Sequence, residues 1–172
     1  WWANDSVGHI QSILWLDAGW RVAGKNLTNR EVTFARIKER EKAYIDFWGE
    51  VITKFKNIEN VPFKNISPDG ASWVNLVSLP LNAPQKSNIN LSFSLKRRFR
   101  IELYIDTGDE DLNKKLFDEL HIDNGKIEKE LGEKLSWERL DHRRASRVAL
   151  YTDGFILDNP KDLENLQDWI VK

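Results

Sequence analysis

The chain has 172 residues, a length that suits one domain and can bury a hydrophobic core of its own. Hydrophobic residues make up 41% and charged residues 31%, a balance that excludes intrinsically disordered and collagen-like classes. The 26 basic and 27 acidic residues give a net charge of −1, so contact with nucleic acid or an anionic membrane requires a local basic patch. Cysteine is absent, which excludes disulfides, thiolate catalysis and cysteine-bound zinc.

The N-terminal segment, residues 1–30, is distinguished by its tryptophans. It carries four of the eight tryptophans, and the sequence begins with tryptophan rather than methionine, which indicates a fragment, a processed product or an engineered form. Large aromatic residues are favoured at the centres of protein interfaces. We therefore expect this segment to pack on the domain that follows, or to dock on an upstream region or a second copy of the chain. The candidate interface residues are Trp1, Trp2, Trp15 and Trp20.

Residues 31–172 are predicted to form one domain that begins with a long helix. Over residues 31–56 the apolar residues recur at steps of three and four, as on the buried stripe of an amphipathic helix. Thr28 and Glu31 have the spacing of a capping box at its start. The stripe comprises Tyr44, Trp48, Val51, Ile52 and Phe55.

The middle of the chain has the pattern of β-strands. Residues 73–79 predict one strand, and from Ile89 to Ile105 the apolar residues fall on odd positions, a period of two that only Arg97 interrupts. This second run is either one long bent strand or a hairpin. Because strands of about 17 residues are rare, two strands joined by a tight turn near residues 96–98 are favoured.

The C-terminal part of the chain first predicts two helices. Thr107 and Glu110 have the spacing of a capping box, and a leucine stripe follows them. The pair Asn124–Gly125 is expected to break this helix and to separate it from a second, shorter one, which Gly132 ends.

Two strands and a helix complete the prediction. The strands are expected at residues 135–140 and 147–152, and the helix begins with Asn159 as its cap and Pro160 in its first turn. The whole pattern predicts an α+β fold: an antiparallel or mixed sheet of about five strands, packed by the long N-terminal helix and the C-terminal helices. The tryptophans expected in the core are Trp48, Trp73, Trp137 and Trp169.

The second half of the chain resembles a known family. The segments 97–120 and 126–151, with the strand Ile101–Asp106 and the pair Asn113–Lys114, are similar to a prokaryotic domain of unknown function, over roughly residues 40–172. The resemblance implies a domain that usually forms the C-terminal part of larger proteins, some with a predicted PD-(D/E)XK nuclease-like region. It implies no established activity. The other matching positions are Phe47–Trp48, Phe117, Ile127–Glu128, Trp137–Glu138 and Arg147.

Motifs for catalysis are sparse. A PD-(D/E)XK site needs an acidic residue two positions before a lysine, and no lysine of the chain meets this condition. Glu102 and Asp106 are the candidate carboxylates of a divergent site, because residues four apart in a strand share a face and could hold Mg²⁺. Neither a histidine cluster, a nucleophile elbow nor a phosphate loop is present. A non-enzymatic role without a cofactor is therefore favoured over the nuclease.

Basic residues form two clusters in the sequence. They could bind the backbone phosphates of DNA or RNA, which gives affinity without sequence readout. Alternatively, they pair across the sheet with carboxylates. The candidate phosphate-binding residues are Lys96, Arg97, Arg98, Arg100, Arg143, Arg144 and Arg147. The carboxylates of the alternative are Glu102, Asp106, Glu138 and Asp141.

The predicted function is a non-catalytic domain of a nuclease-linked or defence-type prokaryotic protein that contacts nucleic-acid phosphates through an arginine-rich sheet face. Two alternatives stay open: a protein-interaction or dimerisation module that uses the tryptophan-rich segment, and a divergent metal-dependent nuclease. No apolar run approaches the ~18 residues that a membrane span needs, and no signal-peptide pattern is visible. A cytoplasmic location without membrane contact is predicted.

Overall fold

The computed structural model describes residues 21–22, 25–26, 29–58, 66–79 and 87–172. In these residues the helices are α1 (Asn29–Lys56), α2 (Glu110–Ile122), α3 (Asn124–Leu131) and α4 (Pro160–Val171). The strands are β1 (Arg21–Val22), β2 (Lys25–Asn26), β3 (Trp73–Leu79), β4 (Ser87–Ser94), β5 (Arg98–Ile105), β6 (Ser136–Glu138) and β7 (Ser146–Asp153). The candidate interface tryptophans and the predicted cap Thr28 lie outside the described residues.

Five of the strands form one sheet, in the order β3-β4-β5-β7-β6, and every neighbouring pair is antiparallel. The two-residue strands β1 and β2 pair separately with each other. The predicted α+β class is confirmed, and the sheet is antiparallel rather than mixed. In the part of the chain that the structure describes, no helix is long and apolar enough to cross a membrane.

The long apolar run between Ile89 and Ile105 is a hairpin, as favoured from the sequence. Strand β4 ends at Ser94, which pairs with Arg98 at the start of β5. Two residues of the connecting turn have positive φ angles, 62° at Lys96 and 55° at Arg97. A left-handed backbone at these positions lets the chain reverse tightly without glycine or asparagine, and both side chains are exposed at the tip.

The apolar residues of the strands lie on one face of the sheet, where the helices cover them. Side chains of α1 and α4 pack there in one cluster, and side chains of α2 pack in a second. Burying this face removes the largest apolar area from water and fixes the register of the strands. The first cluster includes Phe47, Trp48, Val51, Leu91, Phe93, Phe99, Leu166 and Ile170, and the second is built on Ile105, Phe117 and Val148.

The other face of the sheet is polar, and we call it the polar face. In the sheet register Glu102 of β5 lies between Asn90 of β4 and Ala149 of β7, so these three residues point to the same side. The face comprises Trp73, Asn75 and Ser78 of β3; Asn88, Asn90, Ser92 and Ser94 of β4; Arg98, Arg100, Glu102 and Tyr104 of β5; Arg147, Ala149, Tyr151 and Asp153 of β7; and Ser136 and Glu138 of β6.

One core prediction was wrong: Trp73 has 54% of its surface exposed. It pairs with Ser92, on the polar face, whereas Val74 pairs with Leu91 on the apolar face. A β-bulge between Asn75 and Val77 shifts the alternation along β3. Trp48 is buried, with 1% of its surface exposed. Trp137 and Trp169 are half-buried and pack against the two clusters.

The helix ends follow the predicted chemistry with two corrections. Asp109, not Thr107, caps α2, because its carboxylate accepts a hydrogen bond from the Leu112 amide. The break between α2 and α3 falls at Asp123, and Asn124–Gly125 form the first residues of α3. The C-terminal stop of α3 at Gly132, with φ of 76°, is confirmed.

The last three predicted elements are also present. Asn159 caps α4 by accepting from the Asp162 amide, and Pro160 occupies the first turn. Strand β6 is shorter than predicted, with three residues, while β7 is longer, with eight.

Candidate nucleic-acid interface

The seven candidate basic residues do not form one surface. Lys96, Arg97 and Arg98 lie at the β4–β5 turn, at one end of β5. Arg143 and Arg144 lie in the loop before β7, next to the other end of β5. Strand β5 has eight residues, and a rise of about 3.3 Å per residue separates its ends by about 23 Å. We call these the turn end and the loop end of the sheet.

The two remaining arginines lie between these ends on the polar face and are neutralised there. The side chains of Arg100 and Arg147 are 19% and 15% exposed, and their Nε atoms lie 2.7 and 2.5 Å from Oε2 of Glu102. Glu102 itself is only 5% exposed. Nη1 of Arg147 also lies 3.0 Å from Oε2 of Glu138. Because these charges are matched within the sheet, the two arginines have little net charge left to offer to a phosphate.

An aromatic side chain links this network to the turn end. The Tyr151 hydroxyl donates a hydrogen bond of 2.7 Å to Glu138. Burial raises the pKa of Tyr151, and the hydrogen bond to the Glu138 carboxylate adds to this effect, so the hydroxyl keeps its proton. The guanidinium of Arg98 lies over the Tyr151 ring, 4.4 Å from its centroid. Arg98 and Tyr151 thus form a stacked pair at the edge of the polar face.

The three basic residues of the turn end have different partners. Arg97 forms an ion pair with Asp158 and lies over the ring of Phe155, at 4.7 Å. Lys96 and Arg98 form no ion pair with any residue that the structure describes. Both are exposed, so the turn end presents two unpaired cations beside an aromatic ring.

The loop end carries one paired and one unpaired arginine. Arg144 binds Asp106 in a bidentate manner, with Nε–Oδ1 and Nη2–Oδ2 distances of 2.8 Å. The Arg144 guanidinium, helped by the amide of Gly108, holds the pKa of Asp106 below its usual range. Arg143 is exposed and has no ion-pair partner among the described residues.

The carboxylates proposed for a divergent nuclease do not share a free coordination site. Glu102 lies in β5 between two arginines, and Asp106 follows the strand and is held by Arg144. Both carboxylates are therefore paired with guanidinium groups, Glu102 with two and Asp106 with one, as the ion-pair alternative describes. Within the described ranges, no three Asp, Glu or His side chains are grouped so that they could hold a metal ion.

Two residues with a large structural role were not assigned one from the sequence. Asn113 and Lys114 of α2 are buried, with 0% and 8% exposure, and their side chains bind the backbone of the loop end. The signal available in the sequence was a polar pair directly beside the leucine stripe of α2. Aromatic residues on the polar face, Trp73 and Tyr104, were also not predicted as part of a surface.

These features define a class of protein. An antiparallel sheet covered by helices on one face, with arginine and aromatic residues on the other, defines an α+β domain with one apolar and one polar sheet face. The chain belongs to the DUF4268 family, a domain of unknown function that it matches over residues 43–172. The resemblance to a domain of unknown function is thereby confirmed, while the prokaryotic origin and the nuclease association stay predictions. No curated protein and no solved structure matches the chain.

Proposed function

We propose that this domain is a non-catalytic module that contacts single-stranded nucleic acid at the turn end and across the polar face. The observation that carries the proposal is the Arg98–Tyr151 stack beside the unpaired Lys96. A cation that lies over a half-buried aromatic ring suits a phosphate whose base stacks nearby on the same face. Trp73, with 54% exposure on the same face, provides a second ring on which a base can stack.

The charge balance of the polar face favours a single strand over a duplex. Arg100 and Arg147 are matched by Glu102 and Glu138, so Lys96 and Arg98 supply most of the phosphate attraction. Two neutralised phosphates correspond to a salt slope of only about −1.4 for a single strand. Most of the affinity must then come from stacking, which requires bases that are not paired. We expect weak binding, in the micromolar range, with a shallow dependence on salt.

The test is fluorescence anisotropy with a labelled single-stranded oligonucleotide and its duplex, without metal, at about 50 and about 200 mM salt. The double variant Lys96→Ala/Arg98→Ala should bind the single strand about tenfold more weakly than the wild type, because two phosphate contacts and the Arg98–Tyr151 contact are lost together. The matched control is Lys126→Ala/Lys129→Ala, which removes the same charge from exposed positions of α3. Equal losses in both variants, or no binding by the wild type, would contradict the proposal.

The cellular setting is also part of the proposal. The resemblance described above supports a nuclease-linked or defence-type prokaryotic protein, in which another region cleaves the strand that this domain holds. Under this proposal the isolated domain should bind an oligonucleotide and leave it intact in the presence of Mg²⁺. Cleavage that is lost in Glu102→Ala or Asp106→Ala would instead favour the divergent nuclease.

An interaction module is the second candidate. Helix α1 follows the tryptophan-rich segment and exposes two isoleucines, Ile37 at 51% and Ile45 at 43%. Exposed apolar residues in this part of the chain support docking on an upstream region or a second copy. Light scattering over a range of protein concentrations tests this candidate. A mass equal to that of one chain at every concentration would rule out dimerisation. If a dimer forms and Ile37→Glu leaves its mass unchanged, α1 is not part of the dimer interface.

A further inference from the structure

Lys114 of α2 has an unusual set of partners. Four backbone oxygens share the three N–H donors of its Nζ atom: those of Arg139 at 2.7 Å, Leu140 at 3.0 Å, Arg143 at 2.8 Å and Ala145 at 2.9 Å. The Ser146 hydroxyl lies at 3.3 Å. All five contacts are oxygen atoms that can accept, so the group is an ammonium that is held by neutral dipoles.

The neighbouring Asn113 extends this arrangement to the backbone on both sides. Its Oδ1 accepts from the amide and the hydroxyl of Thr107, both at 2.8 Å. Its Nδ2 donates to the backbone oxygen of Arg144 at 3.1 Å. Asn113 thereby joins the turn after β5 to the loop before β7, and Lys114 binds the same loop.

The loop between Arg139 and Ser146 is consequently wrapped around one buried charge. Five of its backbone oxygens point inward to the side chains of Asn113 and Lys114. Leu140 has a φ of 57°, which helps the chain curve around the ammonium. Burying a lysine is costly unless its donors are satisfied, so this loop has one strongly preferred shape.

The shape has a consequence for the arginines of the loop end. The backbone oxygens of Arg143 and Arg144 are held inside, while both side chains are exposed. The Arg144 side chain is fixed by Asp106. Arg143 is left as an unpaired cation on a rigid backbone at the loop end, and β5, about 23 Å long, separates this end from Arg98.

We infer that Asn113 and Lys114 are positioning residues that hold Arg143 as a second phosphate contact, at the loop end of the sheet. This inference rests on the proposed function and adds to it the minimum length of the single strand that is bound. A single strand that starts at the turn end covers the length of β5 in about seven nucleotides, at a stacked rise of about 3.4 Å, and then reaches the loop that carries Arg143. The ligand is therefore a single strand of at least this length, held at both ends of β5.

The length of the oligonucleotide provides the test. We compare single strands of about four and about twelve nucleotides, within the site sizes common for such surfaces. The wild type should bind the longer strand about tenfold more tightly, because only that strand reaches both ends. Lys114→Met should lose this advantage and keep the affinity for the short strand. The control is Lys115→Met, which removes an exposed lysine of the same helix and should change neither.

A second variant keeps the test decisive if Lys114→Met does not fold. Arg143→Ala leaves the buried contacts of Lys114 intact and should abolish the same length advantage. Amide hydrogen exchange of residues 139–146 is measured alongside, and it should be faster in Lys114→Met than in Lys115→Met by at least about tenfold.

The outcomes separate the two proposals. If the wild type binds both lengths equally, or if Arg143→Ala keeps the length advantage, the inference is overturned while binding at the turn end stands. If the wild type binds neither strand, the proposed function fails and the second contact fails with it. Unchanged exchange in a folded Lys114→Met would overturn the positioning role of the lysine.

Discussion

Each end of strand β5 presents an arginine at the surface that is unpaired among the described residues, and the two arginines are positioned by different kinds of contact. At the turn end the backbone reverses within three residues, and Arg98 is placed by stacking on a ring of the neighbouring strand β7. At the loop end a longer segment carries Arg143, and a buried lysine more than 20 residues away in sequence sets its shape. Local contacts are enough for a tight turn, whereas a loop of this length needs tertiary contacts to have one conformation.

The two ends are sensitive to different kinds of substitution. The turn end depends on exposed contacts that are individually weak, so substitutions there should change binding more than stability. The loop end depends on buried polar contacts, so substitutions there should change stability first.

Removal of the buried ammonium should have the largest effect. In Lys114→Met four backbone oxygens lose their donor without gaining water, and we expect a loss of about 3 kcal/mol in the free energy of unfolding. Urea denaturation measures this as a lower midpoint at unchanged slope. Lys115→Met is the control, with a change below about 0.5 kcal/mol. A loss of the same size in both variants would mean that the carbonyl contacts contribute little.

Substitution of Glu102, at the centre of the polar face, should have the second-largest effect on the free energy of unfolding. Glu102→Gln keeps the shape of the side chain and leaves Arg100 and Arg147 half-buried without their shared carboxylate. We expect a loss of about 2 kcal/mol, since uncompensated charges in this environment are costly. Asp153→Asn, at an exposed position of the same face, is the matched control and should be nearly neutral. If Glu102→Gln leaves the free energy of unfolding unchanged, water already screens the two arginines.

Part of the acid sensitivity should come from the Glu128 carboxylate of α3. The Lys134 ammonium, the Leu135 amide and the Trp137 indole all bind Glu128 of α3 and lower its pKa to about 2. A carboxylate whose pKa is lower in the folded state adds stability above its unfolded pKa, and this is lost as the pH falls toward the folded value. Between about pH 4.5 and pH 2, the wild type should therefore lose more stability than Glu128→Gln. Parallel losses in pH-dependent urea unfolding would contradict the role of Glu128.

Much of the fold could be predicted from the sequence because its signals are local. The strand Trp73–Leu79, the turn near Lys96, the stop at Gly132 and the cap at Asn159 all depend on residues within a few positions of one another. Period-two alternation also separated the polar face of β5 from its apolar face. These elements were predicted where short-range geometry decides the structure.

The parts that were not predicted depend on distant or irregular contacts. The acceptors of Lys114 lie 25 to 32 positions away along the chain, so nothing near the lysine indicates them. Alternation placed Glu102 opposite the core but did not show that two arginines bury it. Because of the β-bulge in β3, Trp73 lies on the polar face of the sheet and not in the core, where it was predicted. The seven basic residues were grouped by their spacing in sequence, and the sheet then separated them along β5.

The smallest effect should come from exchanging one cation for another at the turn end. Arg98→Lys keeps the charge but replaces a planar guanidinium, which lies 4.4 Å from the Tyr151 ring, with a compact ammonium. An exposed cation–π contact contributes about 0.5 kcal/mol, so binding of a single strand should weaken about twofold. Tyr151→Phe is the matched control, because it keeps the ring and removes only the hydrogen bond to Glu138. Anisotropy should then show unchanged binding in Tyr151→Phe, and urea denaturation should show a small loss of stability. If Arg98→Lys binds as tightly as the wild type, the residue acts only as a point charge. In that case the turn end attracts phosphates without using its aromatic ring.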